Sequence, residues 1–110
     1  MNCIYNNNTN AAVLFVHGIQ GSPKQFEWMI ESLPSDVDAI NVLLPGHGSD
    51  VRNFRKIHMS TWKEYICELT DRLNEKYDYV FYVGHSMGCL LGIDALMKKR
   101  RCYRAMILMA

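Results

Sequence analysis

The chain is predicted to be an α/β protein with a mostly parallel sheet and helices on both faces. Four short, largely apolar runs, residues 12–16, 38–44, 79–83 and 105–109, are too short for helices and rich in strand formers, as strands covered on both faces are. The segments between them place apolar residues at helical spacing, and strands that alternate with helices are joined as parallel neighbours by crossovers. One strand-like run also passes straight into a helix-like one through Gly84-His85-Ser86-Met87-Gly88.

Residues 1–10, with Asn6-Asn7-Asn8 among them, are polar and turn-prone. They are expected to be disordered or to add a short extended piece at residues 3–5, before a core spanning 11–110. The strand at 12–16 ends at His17-Gly18. Ser22-Pro23 then starts a helix, with a capping hydroxyl ahead of a proline at the first helical position. Phe26, Met29, Ile30 and Leu33 share one face of it, and Pro34 closes it. The strand at 38–44 leads into the turn cluster Pro45-Gly46-His47-Gly48 and a longer loop. Thr61 and Glu64 have capping-box spacing, and Trp62, Tyr65, Ile66, Leu69 and Leu73 form the core stripe of an amphipathic crossover helix. After the strand at 79–83, a helix over 87–99 aligns Met87, Leu90, Leu91, Ala95 and Leu96. Lys98, Lys99, Arg100 and Arg101, with Arg104, read as a solvated helix end rather than a phosphate or membrane-surface patch. Residues 105–109 form the final strand.

With 110 residues and 49% hydrophobic content, the chain suits one small domain. A formal net charge of +1 gives no electrostatic reason to expect nucleic acid as a partner. Cys3, Cys67, Cys89 and Cys102 lack zinc-site pairing, and no secretory leader or bilayer-length apolar run is evident. A cytoplasmic protein with free thiols and no metal is expected.

Gly84-His85-Ser86-Met87-Gly88 reads as a nucleophile elbow, a sharp strand-to-helix turn that lifts a serine hydroxyl above the sheet. Glycines on either side keep side chains out of the crowded turn. The competing view of Ser86 as a simple helix cap does not require those glycines. Upstream, His17-Gly18-Ile19-Gln20-Gly21 is either an ordinary turn or a loop that turns a backbone N–H toward a developing oxyanion, and the elbow favours the second. Ile19 and Met87 are then the two donors.

His17-Gly18, Leu44-Pro45-Gly46-His47-Gly48 and Gly84-His85-Ser86-Met87-Gly88, in this order and spacing, resemble the α/β-hydrolase superfamily. The likeness is to its monoacylglycerol lipase, lysophospholipase and carboxylesterase-like branch, from about Ala12 onward. The resemblance implies an ester hydrolase acting on a neutral or lipid-like acyl ester through an acyl-Ser86 intermediate. Ile19 and Met87 would bind the oxyanion, supported by His17, Gly18, Gly84, His85 and Gly88. It implies no cofactor.

One departure stands out. The serine needs a histidine base and an orienting carboxylate, which follow the nucleophile in this fold. After Ser86 there is no histidine, and the sole carboxylate is Asp94, on the same helix. His85, His17, His47 and His58 are poorly placed to serve as base. The expectation is a partial α/β-hydrolase fold lacking its C-terminal strands, inactive alone. The alternative is a non-catalytic remnant serving as a binding or assembly module. An exposed final strand would also invite self-association.

Overall fold

The computed structural model describes residues 2–5, 10–19, 21–47 and 57–110. Gln20, the asparagine run and Gly48 with the loop after it lie outside the described residues. Among those described, the strands are β1 (Asn2–Tyr5), β2 (Ala11–Val16), β3 (Asp38–Val42), β4 (Tyr79–His85) and β5 (Ala105–Met109). They form one sheet in the order β1-β3-β2-β4-β5. β2 to β5 are parallel, and β1 lies antiparallel on β3 with Ile4 opposite Ile40. The expected short piece at residues 3–5 is thus a paired strand that begins at Asn2.

Alternation along each strand divides the apolar residues between two faces. Val13 and Phe15 of β2 pack with Ala39 and Val83 on one face, against Phe26, Met29, Ile30 and Leu33. Ala12, Leu14 and Val16 lie on the other, with Trp62, Ile66, Leu69, Leu73, Leu91 and Ala95. The first face is covered by a 3-10 turn (Pro23–Phe26) and a short helix α1 (Glu27–Glu31), the second by α2 (Met59–Lys76) and α3 (Met87–Lys98). Helices therefore cover both faces, as predicted.

Three boundaries differ from the expectation. The first helix opens where predicted, with Ser22 Oγ accepting from the Lys24 N–H at 3.3 Å. Its α-helical part nevertheless ends at Glu31. Ser32 Oγ donates to the Trp28 carbonyl at 3.1 Å, and Pro34 disfavours helical backbone at Leu33. α2 begins at Met59, so Thr61 sits in its first turn and the Thr61 capping box is replaced by His58 at the cap, without a side-chain bond. Ile57 just before the cap and Trp62 in the next turn pack into one cluster, the positions of a hydrophobic staple. β3 stops at Val42, because the Leu44 N–H turns to His17 Nε2 at 3.1 Å.

The buried face of α3 is a fourth correction. Met87, Leu91 and Ala95 are buried with Gly88 and Gly92, whereas Leu90 is 60% exposed and Leu96 37%. The helix sits tightly on β4: Tyr82 donates its hydroxyl to the Gly88 carbonyl, and a Cβ at Gly92 would stand 2.6 Å from Tyr82 Cζ. Gly88, Gly92 and Ala95 let Leu91 pack on the sheet, and Leu90 and Leu96 are left outside.

Candidate active site

Ser86 occupies the junction of β4 and α3 with φ 53° and ψ −117°. This is the first central position of a type II′ turn, where glycine is usual. A non-glycine residue held there costs about 1–3 kcal/mol and persists only when its surroundings hold it. Here the Ser86 N–H donates to the Met109 carbonyl of β5 at 2.9 Å, and the Ser86 carbonyl accepts from the Cys89 N–H at 2.9 Å. Cys89 Sγ lies 3.3 Å from both the Gly84 and Met109 carbonyl oxygens, joining the ends of β4 and β5 beneath the turn.

Both flanking glycines are sterically required. A Cβ at Gly84 would stand 2.9 Å from Cys89 N and from the Gly88 carbonyl, and one at Gly88 would stand 2.9 Å from the His17 carbonyl oxygen. Ser86 is exposed and makes no side-chain capping bond, although it sits at the cap position of α3. The helix-cap account of this serine therefore fails on geometry. Met87, the next residue, is buried at the first helical position, where backbone N–H groups have no partner within the helix.

The loop after β2 lies against this turn. A Cβ at Gly18 would be 3.1 Å from Ser86 Cβ and 3.2 Å from the His85 carbonyl oxygen. The Gly18 carbonyl accepts from His17 Nδ1 at 2.8 Å and from the Gly21 N–H at 3.0 Å. His17 is fully buried. Burial, opposed by the bond to Gly18 and reinforced by His47, moves its pKa below 6.5. The ring of His47 meets His17 edge-on at 4.7 Å and lies 5.3 Å from the Trp62 ring. Burial lowers its pKa as well. Trp62 Nε1 donates to the Pro45 carbonyl at 2.7 Å, which ties this cluster to α2.

The structure thus brings Ser86, Met87, Gly84, His85, Gly88, Gly18 and His17 together at the C-terminal end of β2 and β4. Ile19, 56% exposed, follows directly on Gly18. His58 stands exposed at the start of α2. Asp94 pairs with Lys98 at 3.0 Å along α3.

A family model described as the alpha/beta hydrolase family matches residues 13–110. The chain belongs to the alpha/beta hydrolase family. It is 29% identical over 94 residues to phospholipase YtpA of Bacillus subtilis (strain 168), a match covering 82% of this chain and 36% of that protein. A structure reported for the metagenome-derived lipolytic enzymes LipS and LipT superposes with a TM-score of 0.82 at 25% identity, over 91% of this chain and 41% of that one. The monoacylglycerol lipase of Paleococcus ferrophilus shares the fold, with a TM-score of 0.76 at 17% identity over 98% of this chain and 41% of that one. The chain therefore spans well under half the length of these relatives.

Three supports of this alpha/beta hydrolase site escape a reading of the sequence. The Met109 carbonyl and the Leu44 N–H are backbone groups distant in sequence. Cys89 has no pattern of its own, although its place three residues after Ser86 is the available signal.

Proposed function

We propose that Ser86 is the nucleophile of a carboxylic ester hydrolase that acts on neutral, lipid-like acyl esters. The observation that carries the reading is an exposed serine hydroxyl held in strained backbone, free of capping duty, with the Gly18 loop against it. Ser86 Oγ attacks the ester carbonyl carbon as its proton passes to a base, and the carbonyl oxygen becomes an anion received by the Ile19 and Met87 N–H groups. Collapse of that intermediate expels the alcohol, which takes up the proton, and leaves an acyl-serine. Water then attacks the acyl carbon and releases the carboxylic acid. The phospholipase and lipolytic names among the relatives support the substrate class, and no step calls on a cofactor.

This reading takes neither His17 nor Asp94 as the base or its carboxylate. His17 already has both ring nitrogens bonded, to Gly18 and Leu44, and Asp94 is paired with Lys98. The same facts favour a second reading for the chain acting alone, a non-catalytic binding or assembly module. Ile107 and Leu108 of β5, 55% and 46% exposed, support self-association along that strand. The free thiols of Cys67, Cys89 and Cys102 accord with a cytoplasmic setting. Among the described residues no helix is long and apolar enough to cross a membrane.

Fluorophosphonate labelling of the 110-residue chain and of Ser86→Ala tests the reading. Labelling is expected to be weak alone and to rise, at Ser86 only, when imidazole is added as a diffusible base. Strong labelling without imidazole would place a base within the chain. Labelling equal in the two proteins under both conditions would remove Ser86 as nucleophile.

A further inference from the structure

We infer that the first face of the sheet is an interface between two copies of this chain, in which Trp28 of each copy enters an apolar groove over β4 and β5 of the other. The inference rests on the reading of the chain as a self-associating module and names the surface that joins the copies.

That surface is a ridge beside a groove. The 3-10 turn and α1 lie over β2 and β3, where Asn41 of β3 donates through Nδ2 to the Pro23 carbonyl at 2.8 Å and Phe26 packs with Phe15 and Ala39. Over β4 and β5 this face carries no helix among the described residues. Phe81, Val83 and Ile107 there, walled by Met29 and Leu33 of α1, line an almost wholly apolar groove of about 210 Å³. Tyr79 and Ile107 are 50% and 55% exposed on the two strands. The groove is smaller than the roughly 300–1,000 Å³ of sites for drug-sized ligands. It suits one large side chain.

Trp28 is a side chain of that kind. It is 67% exposed and belongs to neither apolar cluster, whereas Trp62, the other tryptophan, is 5% exposed in the core. A tryptophan left in water forgoes one of the largest apolar burials that a side chain offers. At about 100° per residue, α1 carries Met29 on its groove side and Glu27 and Ile30 on its β3 side, where they line a cavity with Val37 and Ala39. Trp28 falls on the outer crest between them. The crest therefore faces away from its own sheet.

A two-fold axis along the strands, between α1 and β4, sets the ridge of each copy over the groove of the other, so that every contact occurs twice. The charges fit the same rotation. Glu27 and Glu31 lie on the β3 side of the ridge, which the rotation carries against β5 of the other copy, and Arg104 stands exposed just before β5. α1 runs from the end of β2 back toward the start of β3. Glu31, its last residue, thus lies toward the end of the sheet at which β5 begins, level with Arg104 of the other copy. Among the described residues neither Glu27, Glu31 nor Arg104 has an ion-pair partner within the chain, and Arg104 lies over the Tyr79 ring at 5.9 Å. Edge-to-edge pairing of β5 alone would leave the apolar groove in water. The face-to-face arrangement covers it.

Sedimentation velocity over a concentration series, read with tryptophan emission, tests the interface on the 110-residue chain. A dimer is expected, and on dilution its emission should move to longer wavelength and become quenchable by acrylamide as Trp28 leaves the groove. Trp28→Ala is expected to raise the dimer dissociation constant about tenfold or more, with circular dichroism unchanged because the side chain is exposed. Glu31→Arg and Arg104→Glu are each expected to weaken the dimer, and the double variant to recover it, since the rotation sets the two positions side by side. A chain that stays monomeric at every concentration would overturn the inference together with the self-association reading. A dimer indifferent to Trp28→Ala would overturn the face-to-face arrangement alone and leave pairing along the β5 edge, and a double variant no better than either single one would overturn the two-fold register.

Discussion

Ser86 is held where its backbone would not rest unaided, at φ 53°, and what holds it is specific: the Met109 carbonyl, the Cys89 N–H and two glycines without side chains. Replacing Ser86 with glycine removes the Cβ penalty along with the hydroxyl. Ser86→Gly is therefore expected to stabilise the chain by about 1 kcal/mol while abolishing labelling, which thermal denaturation alongside the fluorophosphonate assay would check. A lower melting temperature for this variant would mean that the turn is not strained. His17 gives a second expectation, in pH. Its folded pKa lies below 6.5 and that of His47 is lowered too, so between the folded values and 6.5 the unfolded chain binds more protons. Stability is then fully present above about 6.5 and falls as the pH drops through the lower folded values. Melting temperatures followed from pH 8 to pH 5 should decline, and His17→Asn should lessen the decline.

Each helix is placed by what it meets, and α3 shows this most clearly. Its sheet-facing side is Gly88, Leu91, Gly92 and Ala95, with Leu90 pointing outward. Leu91→Ala is expected to cost about 2–5 kcal/mol through the cavity left behind. Leu90→Ala should change stability by only about 0.5 kcal/mol. Urea denaturation of the two variants distinguishes this packing from the stripe of large apolar residues predicted from the sequence, which would make the two losses similar. α2 is anchored differently, with Trp62 in the core, the partly buried Ile57 packed against that core just before the helix, and the indole N–H on Pro45. A helix that also braces the turn after β3 needs no side-chain cap to fix its start.

The sheet as a whole ties its edge to its centre. β5 pairs with β4 and supplies the Met109 carbonyl that fixes Ser86, so whatever covers β5 also steadies the candidate nucleophile. Ile107→Lys is expected to reduce self-association of the 110-residue chain, measured by sedimentation velocity, with its circular dichroism unchanged. Equal sedimentation of the two proteins would remove β5 as the contact. The matched relatives extend well beyond the length of this chain, whose match covers 36% of phospholipase YtpA.

Local patterns carried most of the architecture. Strand formers in short runs marked β2, β3, β4 and β5, helical spacing marked α2 and α3, and the two glycines around Ser86 announced the turn, because sterics and backbone preference act over a few residues. The pairing of β1 with β3, the small-residue face of α3, the arrival of the Met109 carbonyl at Ser86 and the capture of the Leu44 N–H by His17 were settled by folding. Each depends on backbone groups or close approaches between segments far apart in sequence, and a carbonyl or an N–H is the same at every position until the chain brings it to a partner.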